Sequence, residues 1–299
     1  MLGLEYFGFR ELWSPLTLIG TLAVAAVYLR IVGAWRHRFA DSEPVPLSRK
    51  LLFLAGLAVH YLARGGPVDL LGHMMFSAHM VAMVMAFLMA PPLMLLGLPG
   101  WLLKPLFRFK WTGAPLRFFT SPLVSVLMFN AAFSFYHFPA VHDYIMVHYV
   151  VHWWFWTFLL FAAFMMWWPI IEPIKEQKRL SQLLKMAYIF ANGVLITPAC
   201  ALIIFAKSAM YATYTDPSVW TQAMGYCMPA GSMDLLKQFE GGPAFFAILD
   251  PAEDQQLGGV IMKVMQEIIY GAALAYVFFS WYIQSRKDDD IEPLEPRTT

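Results

Sequence analysis

Apolar stretches of near-membrane length alternate with short polar segments along the chain, at roughly 14–34, 47–63, 73–97, 121–139, 145–171, 183–207 and 256–283. A helix needs about 20 apolar residues to cross a bilayer, because each residue advances it about 1.5 Å through a hydrocarbon layer about 30 Å thick. The pattern predicts an all-α polytopic membrane bundle of seven transmembrane helices. The second stretch is the shortest, and Arg49 and Lys50 at its start must snorkel to the interface. Gly65-Gly66-Pro67, Pro91-Pro92, Gly97 to Gly100, Pro139, Pro169 and Pro173 mark breaks, with Pro91-Pro92 expected to kink or end the third span. One membrane domain therefore covers 1–285, with a long loop at 208–255. The polar tail 286–299 is expected to be disordered.

Lysine and arginine placement orients these spans. Arg36, Arg38, Arg49 and Lys50 fall in the first connection, Lys104, Arg108, Lys110 and Arg117 in the third, and Lys175, Lys178, Arg179 and Lys185 in the fifth. Arg286 and Lys287 follow the last span. The second connection has only Arg64 and the fourth, around Asp143, has none. The sixth sets Lys237 against Asp216, Asp234, Glu240, Asp250, Glu253 and Asp254. The alternation predicts an external N-terminus and a cytoplasmic C-terminus.

Composition agrees with lipid as the solvent. Of 299 residues, 59% are hydrophobic and 14% charged, with mean hydropathy +0.56, whereas soluble domains average about 25% charged. A net charge of +1 offers no footprint for nucleic acid. Cys200 lies in an apolar run and Cys227 in a polar loop, at different depths, so no disulfide between them is expected. The first residues lack a basic region and a cleavage site, so the first helix is expected to direct insertion itself. Trp13, Trp101, Trp153, Trp154, Trp167, Trp168 and Trp281 sit near span ends and read as interfacial anchors.

The histidines are distributed unevenly. His37 lies among cytoplasmic arginines. The other seven map to the outer side: His60 ends the second span, His73 and His79 begin the third, His137 ends the fourth, His142 follows in a loop, and His148 and His152 begin the fifth. Imidazole is costly in hydrocarbon without a partner, so this concentration points to a shared polar purpose. His148 and His152 are four apart and can face one centre. Met75, His79 and Met83 repeat at the same interval, and His73 and Met80 share a face seven apart; His142 and Met146 pair likewise if the fifth helix starts early. A mixed His/Met set suits copper, with thioether favouring Cu(I). The plain alternatives are interhelical hydrogen-bonding for a histidine and packing for a methionine.

Lys263 and Glu267, four apart in the last span, read as a proton or ion relay or as a salt bridge, and Asp254 as a first-turn acid at that helix's start. Nucleophile elbows, Walker loops, Rossmann fingerprints and HExxH are absent, so the chain reads as a non-enzyme without ATP-driven work.

Nearly the whole chain resembles the CtaG family of Bacillus-type caa3 cytochrome c oxidase assembly factors. The resemblance rests on Phe76-Ser77-Ala78-His79-Met80 leading to Ala90-Pro91-Pro92 and Leu95-Leu96-Gly97, then Tyr136-His137-Phe138-Pro139. It continues through His152 before Trp167-Trp168-Pro169 to Asp254-Gln255-Gln256-Leu257-Gly258-Gly259. It implies a role in forming the CuB centre of oxidase subunit I, with His73, His79, His137, His152 and Asp254 at the family's functional positions. It also implies the plasma membrane of a bacterium, the oxidase as partner, and an extracytoplasmic copper donor; a homo-oligomer is compatible with it. Two positions depart from the family pattern: Met83 stands where a second histidine follows the first by four, and Trp156 where another begins the fifth helix. These departures imply a softer, Cu(I)-like set or a site without metal.

Three functions follow. The first is a metallochaperone-like assembly factor holding copper at the set His60, His73, Met75, His79, Met80, Met83, His137, His148, His152 and Asp254. The second is a haem- or quinone-linked oxidoreductase using pairs such as His79 and His152. The third is a copper transporter, for which Met85, Met89 and Met94 extend only partway across.

Overall fold

The computed structural model describes residues 3–177, 179–227, 236, 238–239 and 241–291. All regular structure among them is helical. The chain runs through α1 (Phe9–Trp13), α2 (Pro15–Val32), α3 (Leu47–Gly65), α4 (Pro67–Met74), α5 (Phe76–Met83), a π-helical turn (Val84–Met89) and α6 (Ala90–Gly97). It continues through α7 (Gly100–Arg108), α8 (Lys110–Phe119), α9 (Pro122–Tyr136), α10 (Pro139–Met146), α11 (Tyr149–Ile171), α12 (Gln182–Ile204), α13 (Pro217–Cys227) and α14 (Pro251–Ile291). Six stretches are long and apolar enough to cross a membrane: Phe9–Val32, Leu47–Met74, Phe76–Gly97, Tyr149–Ile171, Gln182–Ile204 and Pro251–Arg286. The pair α8 and α9, bent by 72°, supplies a seventh candidate. The protein is a multi-pass membrane protein.

The second span is extended by a further short helix. Gly66 is extended and caps the end of α3, and Pro67 opens α4, where it needs no amide donor. Together the two helices make a 28-residue candidate span, Leu47–Met74, with His60 in the last turns of α3. A second break is Met75, an extended residue between α4 and α5. His73 consequently belongs to α4, not to the third span, and shares no helix face with Met80.

Pro91-Pro92 neither ends nor interrupts the third span. Each proline lacks the amide that would bond the carbonyl four residues back, and the helix absorbs this with the wide turn at Val84–Met89. At the far end of this span α6 packs closely on α3: a Cβ on Gly97 would stand 2.6 Å from the Phe53 nitrogen, so only glycine fits. Inside the bundle α9 and α12 are joined by polar pairs, Asn130 Nδ2 donating to Asn192 Oδ1 at 3.0 Å and Ser125 Oγ lying 3.0 Å from Tyr188 Oη.

Three tryptophans expected at the interface are core residues. Trp101, Trp167 and Trp168 are buried, Trp167 against Tyr270 and Trp168 against Phe107. Trp153, Trp154 and Trp281 are exposed. The last helix runs on through Ile291, into the stretch expected as a tail. Of the charged loop residues read from the sequence, Lys178, Asp234, Lys237 and Glu240 lie outside the described residues, as does the side chain of Cys227. Cys200 is buried in α12.

Candidate metal centre

One end of the bundle gathers five histidines from five elements. His73 is in the last turn of α4, His79 in the first half of α5, His137 caps α9, His142 lies in α10 and His152 in the first turn of α11. All five are buried. His37 sits in the turn Arg36–Arg38, and His60 lies on α3 one turn before Arg64.

Two subsets are evident. In the first, the His79 ring centroid lies 5.3 Å from His142 and 6.5 Å from His137. Tyr136 stacks on His79 at 5.8 Å and meets His142 at 5.2 Å, while its hydroxyl donates to the Met146 sulfur at 3.6 Å. In the second subset His73 and His152 stand 6.2 Å apart. Trp156 touches both groups, 6.4 Å from His79 and 5.8 Å from His152. The indole thus neighbours both His79 and His152.

The ring nitrogens are prepared as ligands. His137 Nδ1 lies 2.7 Å from the Phe133 carbonyl and His73 Nδ1 lies 2.8 Å from that of Asp69. A carbonyl only accepts, so Nδ1 carries the proton and Nε2 the lone pair. Among the described residues, Nε2 of His79, His137, His142 and His152 is buried without a hydrogen-bond partner. Leaving a buried polar atom bare costs about 1–3 kcal/mol, so these nitrogens are the site's open donors and acceptors.

Charge separates the subsets. Arg64 places its guanidinium over Trp156 at 4.9 Å and lies 3.9 Å from Asp69, beside the His73–His152 pair. Asp143 stands 3.7 Å from His142 Nδ1 and Asp69 4.0 Å from His73 Nδ1, so each subset has a carboxylate, and Arg64 offsets the one beside His73 and His152. Burial pushes the His142 pKa below its ordinary value, against the raising effect of Asp143. For Asp143, burial raises the pKa but is outweighed by the nearby His142 and by hydrogen bonds from Thr213 and Ala212, which lower it.

A lid closes this end. Tyr211, Tyr214 and Trp220, from the connection between α12 and α14, are buried and reach down to main-chain carbonyls. Tyr211 donates to His137 at 2.8 Å, Tyr214 to Gly72 at 2.7 Å, and Trp220 to His73 at 3.0 Å. Asp143 anchors the lid by accepting from the Ala212 and Thr213 amides. The start of α14 does the same from the other side: Gln255 accepts from the Met210 amide and Gln256 donates to the Ala206 carbonyl.

Several sequence candidates fall elsewhere. His148 precedes α11 in extended conformation, is exposed, and bonds the Tyr144 carbonyl, so it does not pair with His152. Met75 packs with the Leu70 and Trp220 cluster, and Met80 and Met83 are fully buried core residues. Asp254 spends its carboxylate on the start of α5, accepting from the Phe76 amide at 2.7 Å and from the amide and hydroxyl of Ser77. It caps that helix instead of its own. Conversely, His142, a loop residue on sequence pattern, lies in a helix that Pro139 opens, with His142, Ile145 and Met146 as its buried stripe.

The arrangement fits a metal in part. With a metal–nitrogen bond of about 2 Å, two imidazoles on one ion have ring centroids roughly 5–6 Å apart. The His79–His142 separation meets this, and His137 stands slightly beyond it. Among the described residues no three His, Cys, Asp or Glu side chains already converge as a complete binding group. Three-ligand coordination would require a further donor to move inward.

No curated protein and no solved structure matches the chain. Residues 26–284 match the cytochrome c oxidase caa3 assembly factor family, Caa3_CtaG. With most of its length matched in this way, the chain belongs to that family of caa3 oxidase assembly factors.

Proposed function

We propose that this assembly factor works by holding copper at the histidine-bearing end, on the outer face of a bacterial plasma membrane, and passing it to nascent caa3 oxidase for its CuB centre. The observation that carries this reading is the set of four buried, unpartnered Nε2 atoms beneath one lid. His79 and His142 are the first two ligands. His137 is the third donor, oriented by the Phe133 carbonyl, and the Met146 sulfur beside Tyr136 offers a soft fourth. Delivery requires a site that binds and also releases. An incomplete ligand set suits that demand better than a closed four-ligand cage, which belongs to structural metals.

Orientation is tested by thiol labelling in whole cells. In a Cys227→Ser background, an impermeant maleimide should label Ser218→Cys but not Asp41→Cys or Lys110→Cys. The opposite pattern would place the histidines on the cytoplasmic side and remove the external copper donor from the account.

The delivery role is tested by deletion. Cells without this protein should retain the oxidase polypeptides and most haem, yet lose caa3 activity and the CuB copper. Normal copper content and activity in the deletion strain would overturn the proposal.

A further inference from the structure

A small cavity of about 80 Å³ lies at the histidine-bearing end, between the lid, the break before α5 and the start of α14. Met74, Met75, Tyr214 and Asp254 line it together with the exposed Thr215 and Ile248. Its wall thus grades from solvent-exposed residues to Met74 and Tyr214, which are 3% and 5% exposed. A space of this kind admits a small ion with a few coordinating atoms.

The lining has a definite chemistry. Thioether is a soft donor that favours Cu(I). Both methionines are held here by one local feature: α4 ends at Met74, Met75 is extended, and α5 starts afresh beyond it. Asp254 fixes that new start by accepting from the Phe76 and Ser77 amides, and so brings a carboxylate to the cavity. A carboxylate in a concave mouth draws cations inward. Tyr214 is the partition between this cavity and the histidines. Its ring lines the cavity and also lies 5.9 Å from His142 and 6.5 Å from His79. Its hydroxyl holds it in place by donating to the Gly72 carbonyl at 2.7 Å.

We propose that this cavity is the receiving site for the copper cargo: Met74 and Met75 take up incoming Cu(I), and displacement of the Tyr214 ring passes it to His79 and His142. The inference rests on the copper reading of the histidines and adds the route of entry to it. Two thioethers make an incomplete ligand set, so the ion moves on to the unpartnered Nε2 atoms behind the tyrosine. Residues that serve only as a route change the rates of entry and exit together and leave the equilibrium alone.

The test follows Cu(I) loading of the purified full-length protein under anaerobic, reducing conditions. Cu(I) is supplied as its acetonitrile complex, and tryptophan emission reports arrival, because Trp156 stands 6.4 Å from His79. Met74→Leu with Met75→Leu, a nearly volume-conserving exchange, should slow loading about 10-fold. Release to a chelator should slow by the same factor, so affinity should stay unchanged. Tyr214→Phe, which frees the ring from the Gly72 carbonyl, should speed both steps. Met94→Leu, at the far end of the third span, should alter neither. Unaltered rates in the methionine double variant would overturn the proposal, as would a fall in its affinity, which would make the thioethers permanent ligands. Absence of Cu(I) uptake by the unaltered protein would instead sink the copper reading itself, a result distinct from normal affinity with normal rates.

Discussion

Replacing His79 or His142 with alanine should lower Cu(I) affinity at least about 10-fold, the lower end found even for residues that only orient a ligand. These imidazoles stand at a separation suited to one shared ion, and each leaves Nε2 bare. His137→Ala should follow, because its Nδ1 bond to Phe133 already selects the ligating tautomer. His152→Ala should cost less, since Arg64 sits over the neighbouring Trp156 and disfavours a cation there. His148→Ala should cost nothing, because that ring is exposed and stacked on Tyr144. Competitive titration against a Cu(I) chelator measures these differences, with helicity by circular dichroism as the folding check. Full affinity retained in folded His79→Ala and His142→Ala proteins would make the cluster an interhelical polar network.

The largest loss of stability should come from the opposite end of the bundle. Lys185 at the start of α12 and Glu172 after α11 form a 2.8 Å ion pair, with side chains only 10% and 7% exposed. Glu172 also accepts from the Arg179 amide and holds a left-handed backbone at φ 46°, so the whole α11–α12 connection converges on one carboxylate. Removing one member of a buried pair strands the other without solvent, at a cost of about 3–5 kcal/mol. Lys185→Met should therefore lower the melting midpoint strongly. Lys185→Met combined with Glu172→Gln should recover much of the loss, because no uncompensated charge then remains. Equal stability of Lys185→Met and the unaltered protein would show that the pair contributes only as an exposed surface bridge would.

The spans and the histidine-rich end were legible because both are dictated by local spacing. Apolar runs of membrane length have few alternatives, and imidazoles recurring at helix ends stand out against them. Details that depend on tertiary contact were not legible. Gly65-Gly66-Pro67 carries every mark of a loop, yet proline at a helix's first turn is also a continuation signal, and choosing between them requires seeing α3 and α4 packed against the third span. That choice put His73 on a different helix from His79. Asp254 was readable as an acid at a helix start, but not as the cap of a helix 178 residues earlier in the chain. The lid residues Tyr211, Tyr214 and Trp220 bond main-chain carbonyls, which leave no trace in sequence pattern. Likewise, tryptophans near span ends satisfy both an interfacial and a core reading, and only burial separated Trp167 and Trp168 from Trp153 and Trp154.

Copper analysis of the purified, reduced protein together with its optical spectrum tests the central claim most directly. The account predicts about one Cu(I) bound per chain after loading, no visible absorption, and loss of that copper in the His79→Ala, His142→Ala double variant. A Soret band in the protein as isolated, or copper uptake no greater than that of the double variant, would contradict it.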